Sequence, residues 1–151
     1  MKKISRKKGP VVAKKVIYDG ITFASGLEKY MYRVLKDADI DFKYEGYTYE
    51  LVPAFPFINN CVERQSNGKG DFINRGHKRV NHMSYKPDFV INHKGYYAIV
   101  ETKGLPTEPF NMRMKLFKST LNQLNTKCDI FVPQTQTECL KTMEIILDKI
   151  K

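Results

Sequence analysis

A chain of 151 residues, 42% apolar and 28% charged, is long enough for one domain with a real hydrophobic core. It shows no signal peptide and no apolar run of membrane-spanning length, which argues against a membrane protein. Its three cysteines, Cys61, Cys128 and Cys139, are odd in number and form no CxxC, so reduced thiols in a cytoplasmic protein are expected.

The formal net charge of +10 is unevenly placed. Residues 1–15 hold Lys2, Lys3, Arg6, Lys7, Lys8, Lys14 and Lys15 and no acid, leaving +3 for the rest of the chain. Such a segment reads as a flexible basic arm, either a solubility tail or a contact to a polyanion, most often nucleic acid. A domain over 16–151 follows. Val16 to Phe23, with Asp19-Gly20 in the middle, predicts a hairpin. Ser25 is a good N-cap, and Leu27, Tyr30, Met31, Val34, Leu35 and Ala38 repeat at helical spacing through Asp39. Phe42 to Val52 alternates aromatic and polar residues, as one strand or a short hairpin. From about Asn59 to Arg75 the chain is rich in Gly and Asn with no clean period, and a mobile insertion over about 59–84 is expected. Within it Cys61, His77 and His82 fit no common zinc spacing and lack a fourth ligand.

Tyr85 to Ile91 and Tyr96 to Val100 are β-branched and aromatic, and Asn92-His93-Lys94-Gly95 supplies a turn between them. Thr107-Glu108-Pro109 marks a helix start, followed by a stripe of Phe110, Met114, Phe117, Leu121 and Leu124. Cys128 to Val132 reads as a short buried strand ended by Pro133. The last amphipathic helix runs from about Glu138 through Leu140, Met143, Ile146, Leu147 and Ile150. Cys128 and Cys139 are expected in the core. The order predicts an α/β fold in which helices cover the faces of a mixed sheet.

The chemistry concentrates in one hairpin. Pro87-Asp88 is followed by Glu101-Thr102-Lys103, a spacing that chance supplies in on the order of a few per cent of chains this long. An even loop puts Asp88 on one face with Ile99, Glu101 and Lys103. With Lys94-Gly95 as a two-residue turn, Asp88 lies directly opposite Glu101, with Cβ atoms about 4.5–5.5 Å apart. Like charges so placed destabilise a sheet. A divalent cation between them reverses the sign, since hard oxygen ligands suit Mg²⁺, and Lys103 is then positioned to address a water or a phosphate. The plainer alternative is a charged hairpin on a solvated face, against which the buried character of Ile99-Val100 argues. Glu28 follows Ser25 by three residues and reads first as a capping box, its carboxylate returning to the Ser25 backbone N–H. Arg113, Lys115 and Lys118 are candidates for phosphate contact or for a solvated helix face.

Ser25-Gly26-Leu27-Glu28, Phe42-Lys43-Tyr44-Glu45, Tyr85-Lys86-Pro87-Asp88-Phe89 and Val100-Glu101-Thr102-Lys103-Gly104, in that order, resemble the PD-(D/E)xK nuclease superfamily. Within it they resemble the junction-resolving enzymes of the phage endonuclease I type. A nearer likeness is to a group of phage proteins of the same superfamily that share Asp19-Gly20-Ile21-Thr22-Phe23, Tyr49-Glu50-Leu51-Val52-Pro53-Ala54-Phe55 and Lys115-Leu116-Phe117. The resemblance covers about Lys15 to Phe131. It implies a restriction-endonuclease-like core, a central mixed β-sheet flanked by helices. It implies Mg²⁺ or Mn²⁺ on Asp88 and Glu101, with the Thr102 carbonyl adjacent and Glu28 as a further carboxylate, and Lys103 as catalytic lysine. The activity implied is endonucleolytic hydrolysis of branched or otherwise structured DNA in a host-cell cytoplasm, with Lys7, Lys8, Lys14, Lys15, Arg113 and Lys115 as DNA contacts. One motif cuts one strand, so a C₂ homodimer through the Val16–Phe23 hairpin and the C-terminal helix would supply a second site. The chain departs from the endonuclease I pattern in the insertion of roughly 59–84 and in ending after the helix from Glu138. The alternatives from other classes are a non-catalytic DNA-binding accessory module of the same fold, and RNA binding through the arm and Phe42–Tyr49, for which no ribonucleoprotein motif is present.

Overall fold

A computed structural model describes residues 12–151. Lys7 and Lys8 of the basic arm lie outside the described residues, whereas Lys14 and Lys15 are exposed and outside any helix or strand. The elements are, in order, β1 (Val16–Tyr18), β2 (Ile21–Phe23), α1 (Gly26–Asp37), β3 (Phe42–Tyr44), β4 (Tyr49–Val52), β5 (Phe55–Pro56), β6 (Val62–Glu63) and β7 (Ile73–Asn74). There follow β8 (Arg79–Val80), β9 (Met83–Tyr85), β10 (Phe89–His93), β11 (Tyr96–Val100), α2 (Glu108–Gln123), β12 (Asp129–Phe131) and α3 (Gln136–Lys149). Among the described residues no helix is long and apolar enough to cross a membrane.

The chain divides into two compact units. The first comprises the residues up to Gly46 together with Pro87–Pro106 and Cys128–Lys151. Its centre is a four-stranded mixed sheet in the order β12-β11-β10-β3, with β12 parallel to β11 and the other pairs antiparallel. Alternation sends Phe89, Ile91, Ala98 and Val100 to one face. There they form a core with Met31 and Leu35 of α1 and Cys139, Met143 and Ile146 of α3. The β1–β2 hairpin turns on Asp19 and Gly20, both at positive φ as a type I′ turn requires, and delivers Phe23 into that core.

The second unit holds Tyr47–Lys86 and Thr107–Lys127. Here β4 pairs with β9, α2 packs on β4, and Tyr49 and Tyr85 both lie against the Phe117 ring.

Several local expectations change. Phe42 to Val52 is neither one strand nor a hairpin: Glu45 adopts φ 46°, the strand breaks there, and β3 and β4 join different sheets. Tyr85 to Ile91 is likewise split, because Pro87 has no N–H to continue the ladder. The segment 59–84 carries short antiparallel pairs rather than irregular loop alone. The strand at 128–132 is half-buried, since β12 is a sheet edge. Leu124, Leu140 and Leu147 are exposed. On α3 the buried stripe instead runs through Cys139, Thr142, Met143 and Ile146, and Cys128 is only half-buried.

Candidate functional site

The register of β10 and β11 decides the site. His93 faces Tyr96 across Lys94 and Gly95, both at positive φ, and the ladder runs without a bulge to Phe89 opposite Val100. The next pair outward is therefore Asp88 opposite Glu101, as the two-residue turn predicts. The two are in direct contact: the Asp88 N–H donates to Glu101 Oε2 at 3.3 Å. On its other side the Asp88 carbonyl accepts the Glu45 N–H at 2.7 Å, which carries the β3 pairing one residue past the strand end. Glu101 and Lys103 donate their N–H groups to the carbonyls of Phe131 and Pro133 at 2.9 and 3.0 Å. These alternate bonds keep the Glu101–Lys103 backbone extended, so both side chains leave the same face.

Asp88 is seated by the residue between them. Its Oδ2 accepts the Thr102 N–H at 2.8 Å and the Thr102 hydroxyl at 2.6 Å. Both bonds favour the ionised carboxylate, yet burial and the negative charge of Glu101 outweigh them, and Glu28 adds to the same direction. The Asp88 carboxyl is pushed up to about 7. The strand ends thus bring together carboxyl groups that oppose one another's ionisation.

Glu28 is buried at the start of α1. Its Oε1 accepts the Ser25 hydroxyl at 3.1 Å, and its Oε2 accepts the Ala24 N–H at 3.0 Å and the Tyr44 hydroxyl at 2.9 Å. Ser25 Oγ caps the Glu28 N–H at 3.2 Å. The expected return bond to the Ser25 N–H is replaced by one to Ala24, a residue earlier. The same arrangement recurs at α3, where Glu138 accepts the Gln134 N–H and Thr135 caps Glu138. Glu28 differs from Glu138 in being buried and in holding a tyrosine. Burial and the Glu28 hydrogen bond keep the Tyr44 hydroxyl far above its ordinary range, so it remains a donor.

Glu28, Asp88, Glu101, Thr102 and Lys103 all belong to the first unit. Among the described residues, no three or more His, Cys, Asp or Glu side chains gather as a group that could hold a metal ion. Arg113, Lys115 and Lys118 are exposed on α2 in the second unit. Two contributors escape the sequence reading. Thr102 enters it only through its carbonyl, although a hydroxyl between two site residues on a strand is a recognisable signal. Tyr44 lies in the Phe42-Lys43-Tyr44-Glu45 block, but its bond to Glu28 has no signal there, because its position depends on β3 pairing with β10, Tyr44 opposite Phe89.

The raised Asp88 carboxyl gives a testable sign. With a folded value of about 7 against 3.8 when unfolded, the native state holds the extra proton between those values. Its contribution to stability is complete below the unfolded value and lost as pH rises through about 7. Asp88→Asn removes that loss. In chelator, the variant should gain on the parent as pH rises from 5 to 8, by roughly 1–3 kcal/mol. Denaturant melts of both proteins across that range measure it, and a difference that does not change with pH refutes the assignment.

A family model described as a protein of unknown function, DUF1064, matches residues 8–135. No curated protein matches the chain.

Proposed function

The chain belongs to the DUF1064 family, and we propose that this member is a metal-dependent DNA endonuclease, phage-encoded and acting on branched or otherwise structured DNA in the host cytoplasm. The observation that carries the reading is the pair Asp88 and Glu101, opposed across β10 and β11, with Lys103 two residues further along the same strand end. An acidic pair that makes its own ionisation costly is unfavourable in a purely structural hairpin and useful in a cation site. The sheet with α1 and α3 on one face is consistent with a restriction-endonuclease-like core.

Asp88 and Glu101, with the Thr102 carbonyl and Glu28, would hold Mg²⁺ or Mn²⁺. When bound, the cation supplies Lewis-acid stabilisation of the anionic oxygens in an in-line displacement at phosphorus. The remaining work falls to the chain. Thr102 fixes the Asp88 carboxylate through two hydrogen bonds. Tyr44 holds Glu28 at the head of α1. The Lys103 ammonium orients the attacking water or offsets charge developing on the phosphate. Lys7, Lys8, Lys14, Lys15, Arg113 and Lys115 bind backbone phosphates, giving affinity that depends on salt rather than on sequence.

A specific observation favours the non-catalytic module as the second reading. Thr102 occupies Asp88 Oδ2, and Ala24, Ser25 and Tyr44 occupy both Glu28 oxygens. One assay separates the two. Linear duplex, single strand, flap and four-way junction are each incubated with Mg²⁺, Mn²⁺ or EDTA. Cleavage in either metal and none in EDTA is expected, fastest on the branched substrates. Binding without cleavage in both metals selects the accessory module. Sedimentation with and without the junction tests the homodimer. A monomer that cuts linear duplex as fast as junction removes the resolvase role and leaves the nuclease.

A further inference from the structure

The segment from Phe55 to Val80 contains the chain's second concentration of positive charge. It carries Arg64, Lys69, Arg75, Lys78 and Arg79 against Glu63 and Asp71, a formal +3. That equals the whole excess left outside residues 1–15, so the remaining residues balance to zero. Structurally it is a long antiparallel ribbon. Phe55 pairs with Val80 and Pro56 with Arg79 at its base, and Val62 with Asn74 and Glu63 with Ile73 toward its tip. Bonds from the Phe57, His77 and Arg75 N–H groups to the Lys78, Asn59 and Cys61 carbonyls join the two pairs. The strands approach so closely that a Cβ on Gly76 would meet the Asn59 carbonyl at 2.1 Å. Asn74 Oδ1 accepts the Cys61 and Gly76 N–H groups, and the Arg75 guanidinium staples the Glu63 and Asp71 carbonyls.

This internal bonding sets the shape of the ribbon but covers few of its side chains. Ile58 is 74% exposed, Phe72 68%, Val62 51% and Ile73 49%. Arg64, Lys69, Lys78 and Arg79 are exposed as well. Two strands without a covering layer are marginal in water. A ribbon that exposes apolar side chains among four exposed cations is therefore suited to a surface that is anionic at its rim and offers apolar groups on its floor. The major groove of B-DNA is flanked by phosphates, presents thymine methyl groups among the polar base edges of its floor, and is wide enough to admit a two-stranded ribbon. Eleven residues from Phe55 to Gln65 reach about 35 Å, close to one helical turn.

We propose that the ribbon Phe55–Val80 is a duplex-DNA-binding arm that lies in the major groove, with Arg64, Lys69, Lys78 and Arg79 on phosphates and Ile58 and Phe72 against the groove interior. Arg75 is excluded from this set because its guanidinium serves the ribbon itself. The inference rests on the DNA reading above but does not require cleavage.

The test uses the full chain in EDTA, with a labelled 30-base-pair duplex, followed by fluorescence anisotropy across a salt series. Combined Arg64→Gln, Lys69→Gln, Lys78→Gln and Arg79→Gln should weaken binding at least tenfold. The slope of log K against log salt should fall by about 0.9 for each phosphate that the variant no longer neutralises. Ile58→Ser with Phe72→Ser should weaken binding about threefold with the slope unchanged, as for uncharged groups in the groove. A further variant that replaces Val62–Asn74 by Asn-Gly, shortening the ribbon, should reproduce the charge variant's weakening. Duplex RNA should bind at least tenfold more weakly, because its major groove is deep and narrow. Parental affinity and slope in both the charge and shortened variants overturn the arm. So does a loss of self-association with unchanged DNA binding, which would mark a protein interface. A parent that binds DNA through the ribbon but never cuts keeps the arm and removes the nuclease. Cleavage that persists in variants of unchanged affinity does the reverse.

Discussion

Asp88→Asn and Lys103→Ala should each lower DNA cleavage by about a thousandfold or more, the scale at which removal of a directly acting electrostatic group is felt. DNA affinity should stay within a fewfold of the parent, since the phosphate-binding side chains are other residues. The substitutions act differently. Asp88→Asn leaves an oxygen able to accept from Thr102, so the strand end keeps its shape while the carboxylate is lost. Lys103→Ala leaves the N–H bond to Pro133 intact, because it is made by the backbone. A single-turnover assay with purified protein in Mg²⁺ measures both, and full activity in either variant removes these residues from the reaction.

Phe89→Ala should cost roughly 3–5 kcal/mol of stability, the largest effect expected of a single truncation in this core. Phe89 is fully buried beside Asp88, with the Phe42 and Tyr44 rings at 5.8 and 5.4 Å. Tyr44 in turn packs on Phe23 at 4.8 Å and bonds Glu28. The cavity would therefore open under the groups that hold the site as well as in the middle of the sheet. Phe89→Leu retains most of the volume and should cost about 1.5 kcal/mol or less. Denaturant unfolding of the three proteins measures the series. A loss below about 1 kcal/mol for the alanine variant would mean that the core is not built around this ring.

The hairpin was legible because both its constraints are local. A two-residue turn and the period of two fix which residues oppose each other, so Asp88 against Glu101 follows from Lys94-Gly95 alone. Helix α1 was legible for the same reason. Ser25, Glu28 and an apolar stripe at helical spacing all lie within fifteen residues. The α3 stripe expected through Leu140 and Leu147 lies slightly off the buried face of the helix. Leucine signals hydrophobicity but not direction, and the side of the helix that meets α1 is set by packing.

By itself, then, the sequence determined the elements whose geometry closes over a few residues: both positive-φ hairpins, the cap of α1, and the register that sets Asp88 opposite Glu101. Pairings between distant segments were decided only by the tertiary structure. Nothing near Phe42 states that it will lie beside Phe89 rather than run on into Tyr49, and the break at Glu45 acquires meaning only once β10 is present. The Tyr44 bond to Glu28 depends on that pairing. The Asp88 carboxyl near 7 reflects burial, which the fold supplies, and the charges of Glu101 and Glu28. Local backbone preferences and side-chain periods act between neighbours along the chain, whereas desolvation and electrostatic coupling act between neighbours in space.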